Sequence, residues 1–113
     1  MPDHFHWMFA PEVAGDVPKI IGAVKRDVTL RTKEKSGVTE SLWQKPYFDH
    51  IIRSEDDFAK HLDYIHYNPV KHGYVSRVSA YKHSSFDEWA KRGIYSENWG
   101  SEEPLNLSDL DLE

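Results

Sequence analysis

MPDHFHWMF, residues 1–9, is the stretch on which the fold turns. Its core, FHWMF at 5–9, is a short aromatic and apolar run with β-propensity, closed by Ala10 and Pro11. A chain terminus is ordinarily polar and frayed, whereas this one resembles the middle of a buried strand. In a strand, residues two apart share a face. His4 and His6 then stand side by side while Phe5 and Trp7 alternate to the other face. Two neutral imidazoles at that spacing supply two ligands of an incomplete shell for a divalent cation. The pair alone reads more readily as two partly exposed histidines with no metal, so a third ligand and a reacting group must come from elsewhere.

PEVAGD at 11–16 is a loop signal, Asp16 is a good N-cap, and Pro18 suits a first helical turn. Val17, Ile20, Ile21, Val24 and Val28 fall at helical spacing and predict a helix to about Lys35 that stops near Gly37. LWQKPYFDHIIR at 42–53 predicts a second strand, with Pro46 favouring an edge or a bulge. Ser54 and the acids at 55–57 form a capping-box variant that opens a helix, which Pro69 should end near Asn68. SFDEWAKRG at 85–93 predicts a short helix ending at Gly93. The reading is one domain over 1–100 and an acidic, disordered tail over 101–113, with no internal repeat.

Bulk properties narrow the function. The 113 residues have room for one modest domain. Cysteine is absent, which excludes disulfides, thiolate metal sites and thiol catalysis. No apolar run approaches the ~18 residues of a membrane span, and the start lacks the basic-then-apolar order of a secretory signal. The expected location is a bacterial cytoplasm. The net charge of −5 argues against nucleic acid only until its distribution is seen. SEEPLNLSDLDLE, 101–113, carries five acids and no base, so residues 1–100 are neutral overall. Within them Lys19, Lys25, Arg26, Arg31, Lys33 and Lys35 face only Asp27 and Glu34. That is a local basic surface of the kind phosphates use, and equally a solvated helix face.

EDDFAKHLDYIHYNP, 55–69, supplies the missing partners. Phe58, Leu62 and Ile65 form an apolar stripe for the sheet. On the same wheel His61, Tyr64 and Asn68 fall within about 60° of one another beside it. Tyr67 points almost the opposite way, toward solvent. Tyr64 can be a half-buried packing residue and Asn68 a helix cap. Together with two histidines, however, a tyrosine and an amide oxygen suit one reaction. A bound Mg²⁺ can orient a scissile phosphate, and tyrosine attack leaves a phosphotyrosine that conserves the bond for rejoining.

MPDHFHWMF, LWQKPYFDHIIRSEDDFAKHLDYIHYNPVKHGYV (42–75) and AYKHSSF (80–86) resemble the REP-associated tyrosine transposases, single-tyrosine HUH transposases in which U is a hydrophobic residue. The similarity covers about residues 1–99, and its long central run is far more specific than His-x-His. The resemblance implies an α+β, ferredoxin-like sandwich of antiparallel sheet and helices. It implies a metal-dependent single-stranded DNA endonuclease and strand-transferase. The HUH pair falls on His4 and His6, the nucleophile on Tyr64 and the metal-binding amide on Asn68. The cofactor would be Mg²⁺ or Mn²⁺, and the substrate single-stranded DNA beside hairpins of short palindromic repeats, joined through a 5′-phosphotyrosine. In the family a strand, a helix and a hairpin arm precede the histidine strand, so the chain reads as truncated before Met1. Poor stability or pairing with a second copy is then expected, as is location near the nucleoid.

Further DNA contacts are expected from the six bases at 19–35, from Lys71 and His72, and from Trp43, with Tyr47 and Trp7, as stacking platforms. Each aromatic also reads as a packing residue. His50, His66 and His83 read as surface or packing residues. Two other functions remain open on the residues: a non-catalytic hairpin-DNA binder or inactive remnant, and a small metal-dependent hydrolase in which Tyr64 is structural.

Overall fold

A computed structural model describes residues 1, 3–37, 42–44 and 47–107, excluding the side chains of residues 14 and 106. The chain divides into two units, Phe9–Asp49 and Met1–Met8 with His50–Glu113.

In the first unit, a 3-10 turn at Ala14–Asp16 leads into helix α1, Val17–Ser36, with Pro18 in its first turn as the sequence predicts. Asp16 occupies the cap position, but its carboxylate does not bond a helix N–H. The preceding turn already holds Asp16 in a helical conformation (φ −87°, ψ −4°), whereas a capping side chain needs an extended backbone. The carboxylate lies 3.9 Å from Lys19 Nζ instead. The helix stops at Gly37, whose N–H donates to the Lys33 carbonyl at 2.9 Å. Lys33 and Lys35 in the last turn suit the negative end of the helix dipole. Trp43 is strapped back onto this helix: its Nε1 donates to Thr29 Oγ1 at 2.9 Å and to the Lys25 carbonyl at 3.1 Å.

The second unit is built on helix α2, Glu55–Lys71. Ser54 is extended, and its hydroxyl accepts from the Asp57 N–H at 3.1 Å, while Glu55, Asp56 and Asp57 complement the positive end of the dipole. The helix does not end near Asn68 as Pro69 led us to expect; it continues to Lys71. A proline this close to the end forfeits a single helical N–H, and the termination motif restores the balance. Tyr74 N–H donates to the Pro69 carbonyl and Gly73 N–H to the Val70 carbonyl, each at 3.0 Å. Gly73 takes the left-handed φ of 76° that this closure requires.

Around α2 pack a 3-10 turn at Val78–Ala80, helix α3 at Phe86–Lys91, and a 3-10 turn at Leu105–Leu107. The buried core is Leu62, Val78, Phe86 and Tyr95, with Met8, Tyr67, Trp89 and Trp99 against it. Tyr95 and Trp99 meet at 4.5 Å between ring centres, within the range of favourable aromatic pairs. Tyr67 therefore does not point to solvent. Burial raises its hydroxyl above the ordinary range, and its ring lies edge-on to Trp99. The wheel of one helix cannot show that the C-terminal segment covers its second face. That segment reaches into the expected tail: Leu107 is buried, while residues 108–113 lie outside the described residues.

His66 is wholly buried and anchors a polar chain. Ser85 Oγ donates to its Nε2 at 2.7 Å, its Nδ1–H donates to Tyr95 Oη at 2.9 Å, and Tyr95 donates to Asp63 Oδ1 at 2.9 Å. Each proton has one direction because the carboxylate at the end can only accept. Burial pushes the imidazole down to about 4, opposed by the Asp63 charge. Burial, followed by the bond to Asp63, pushes the Tyr95 hydroxyl up.

The ferredoxin-like α+β sandwich is overturned: among the described residues there is no strand and no sheet. Residues 4–9 are irregular, with Phe5 52% and Trp7 46% exposed, and so are 42–44 and 47–53. Lys45 and Pro46, where an edge or bulge was expected, lie outside the described residues. β-Propensity measures fit to a pleated, half-covered surface and yields a strand only when a ladder partner is present.

Candidate catalytic and metal-binding site

The unit built on α2 also contains the His-x-His segment, and the two meet. His4 Nε2 lies 3.3 Å from Asn68 Oδ1, across 64 positions of sequence. The imidazole of His4 is 5.3 Å from that of His6 and 5.0 Å from that of His72, centre to centre, both edge-on. His6 in turn lies edge-on to Tyr64 at 5.4 Å. Lys71, one residue before His72, donates to the Tyr64 hydroxyl at 3.2 Å. His4, His6, Tyr64, Asn68, Lys71 and His72 thus form one cluster. Asn68 and Tyr64 are buried, at 1% and 2% exposure, while Lys71 and His72 are exposed.

Asp3 completes the cluster, and the sequence reading missed it. Its carboxylate accepts from His4 Nδ1 at 2.7 Å, and that bond holds the acid below its ordinary range. With the Nδ1 proton committed to Asp3, a neutral His4 turns a lone pair at Nε2 toward the amide oxygen of Asn68. The contact is a hydrogen bond when Nε2 carries a proton, and the two atoms converge as donors for a cation when it does not. A carboxylate behind a histidine is also the usual outer support of a metal ligand. The donor set of two imidazoles and an amide oxygen therefore fits a divalent ion, with His4 and Asn68 converging and His6 adjacent.

The expected DNA-binding residues do not all join this cluster. Lys19, Lys25, Arg26, Arg31, Lys33 and Lys35 lie on α1, in the other unit. Lys19, Arg26 and Lys33 repeat every seven residues and share one face. Arg31 pairs with Asp27 at 3.0 Å. Trp43 is held by its indole N–H and covered by Lys25, whose Nζ is 5.6 Å from its ring centre and 5.3 Å from that of Tyr47. Its packing role is thereby accounted for.

A second group went unread in the sequence. His50, Asp57 and His61 offer one ligand atom each within 4.8 Å of one another. His50 lacked a partner only because it was assigned to a strand. The spacing of Asp57 and His61, four apart on one helix, was legible.

The chain is 38% identical over 117 residues to a Haemophilus influenzae protein assigned as a REP-associated tyrosine transposase, covering 95% of this chain and 66% of that one. It is 33% identical over 103 residues to the REP-associated tyrosine transposase of Escherichia coli, covering 90% of this chain and 59% of that one. The chain belongs to the REP-associated tyrosine transposase family. It spans less than two thirds of the length of either relative. No protein-family profile matches it, and no solved structure matches it at a significant level. Among the described residues, no helix is long and apolar enough to cross a membrane.

Proposed function

We propose that the chain nicks and rejoins single-stranded DNA beside hairpin-forming repeats, with Tyr64 as the nucleophile. The observation that carries this reading is the convergence of His4 Nε2 and Asn68 Oδ1, with His6 edge-on to Tyr64. Tyr64 Oη attacks the phosphorus, the new O–P bond leaves the 5′ phosphate on the protein, and the 3′ oxygen departs with the electron pair. The phenol gives up one proton to water and the 3′ oxygen takes one up, so the step is neutral in protons. A bound Mg²⁺ or Mn²⁺, held by His4, His6 and Asn68, would polarise the phosphate and offset the charge of the transition state. Asp3 fixes the ring of His4, and Lys71 holds the phenol oxygen. The bases on α1 and His72 would contact the DNA backbone. The setting is the bacterial cytoplasm at the chromosome, with a second copy of the chain as the expected partner.

One observation favours a non-catalytic hairpin-DNA binder instead. Tyr64 is only 2% exposed, so a phosphate reaches its hydroxyl only when a covering side chain swings aside. Purified protein incubated with Mn²⁺ and labelled hairpin oligonucleotides from repeats near its gene separates the two readings on a denaturing gel. A band shifted by covalent protein, and absent with Tyr64→Phe, supports the nickase. Binding without such a band supports the binder. Cleavage that survives Tyr64→Phe would point to a hydrolase.

A further inference from the structure

We propose that His50, Asp57 and His61 form a second cation site, separate from the His4–His6–Asn68 cluster, that takes a late first-row divalent ion of the Zn²⁺ type. The three residues join the segment entering α2 to the first turns of that helix. His50 Nε2 lies 2.8 Å from Asp57 Oδ2, and His61 Nδ1 lies 3.0 Å from Asp57 Oδ1 and 2.9 Å from the Asp57 carbonyl oxygen. The two imidazoles are stacked, 4.2 Å between centres and 8° from parallel. The carboxylate is held below its ordinary range, first by the hydrogen bond from His50. It is therefore an ionised ligand at neutral pH.

Two features distinguish this group from a simple helix cap. At the helix start Ser54 accepts from the Asp57 N–H, and the Asp57 carboxylate accepts from the Arg53 N–H at 3.3 Å. Two histidines on one carboxylate are more than the helix start requires. The group is also compact and partly shielded: His61 is 8% exposed, and the donor atoms of the three side chains lie within 4.8 Å of one another. Meanwhile His50 is exposed, which gives an ion a way in and leaves room for a water ligand.

The donor chemistry selects the ion. Two imidazoles and one carboxylate, with an open position for water, suit Zn²⁺ and its neighbours. On ligation each neutral ring carries its proton on the nitrogen away from the ion, so the ion replaces the two N–H bonds to Asp57. The bound ion would pin residues 50–53 to α2. The site does not depend on the proposed DNA chemistry, and its test has no activity readout.

Zn²⁺ titration by calorimetry, with Co²⁺ absorption as an optical probe, tests the proposal in the full chain. A His4→Ala/His6→Ala double variant should still bind one equivalent. In that background His50→Ala, at an exposed position, should weaken binding at least tenfold, and Asp57→Asn likewise. Circular dichroism would confirm that each variant keeps its helices. Absence of binding in the double variant, or binding indifferent to both further substitutions, would overturn the site.

Discussion

Lys71 Nζ donates a hydrogen bond to the Tyr64 hydroxyl at 3.2 Å and stands 4.9 Å from the centre of its ring. The two residues lie seven apart on α2, two turns of one helix face. An ammonium at a phenol oxygen stabilises negative charge there, which the proposed phosphotyrosine chemistry would need both as the oxygen attacks phosphorus and as it later leaves. Loss of one such preorganised donor costs about a hundredfold in rate. Lys71→Met is therefore expected to slow formation of the covalent DNA adduct by about that factor, and Lys71→Arg to restore most of it. Gel quantification over time gives the rates, with DNA affinity measured separately. Unchanged adduct rates in Lys71→Met would leave the lysine only a cover for the ring.

The Asp3–His4 bond leads to a second expectation. Asp3→Asn leaves the size of the side chain but lets His4 adopt either tautomer. Outer supports of this kind are worth about 10- to 100-fold in metal affinity. The Mn²⁺ concentration for half-maximal adduct formation should rise by about tenfold or more, while DNA binding without metal stays unchanged.

His66 makes folding sensitive to pH. Its folded-state value of about 4 lies below the ordinary 6.5, so the unfolded chain binds more protons between those limits. The contribution is complete above pH 6.5 and is lost as the pH falls toward 4. Its full size is about 3 kcal/mol. Urea melts at pH 7 and pH 4.5 should show this loss, and His66→Gln should flatten the difference. An equal pH dependence in the variant would assign the effect to other groups.

Gly100 is buried with φ 84°, and a Cβ there would stand 2.6 Å from Val78 Cγ2. Val78 is itself 1% exposed in the core and has nowhere to retreat. Gly100→Ala combines left-handed backbone strain with overpacking and should cost about 2–3 kcal/mol. Thermal or urea denaturation measures it directly. A melting point equal to the parent's would mean that the C-terminal segment does not pack on Val78.

Much of the helical framework was legible because its signals are local. Ser54, Gly37, Gly93 and the apolar spacing from Val17 each act within a few residues, and α1 and α3 stop where those signals say. The site was partly legible for the same reason. Tyr64 and Asn68 share a helix face by geometry alone, and both are buried. The misreadings share one feature, a dependence on what lies opposite. FHWMF and 42–53 have strand propensity, but a strand exists only with a ladder partner, and the described chain supplies none. Pro69 and Tyr67 were misread because the closing turn at Gly73 and the cover from Trp99 come from beyond the window.

From the sequence alone come the starts of the helices, the ends of α1 and α3, the tyrosine that shares a face with Asn68, and the family the chain resembles. Those are properties of spacing and of side-chain type. Only the tertiary structure decided that His4 meets Asn68, that Asp3 stands behind His4, that Lys71 is drawn onto Tyr64, and that His50 stacks on His61. Convergence of the His4 segment on α2 depends on packing between residues more than sixty positions apart, and no local propensity encodes it. Free energy from the shared core of Leu62, Val78, Phe86 and Tyr95 holds the unit together and offsets the entropy of that long closure.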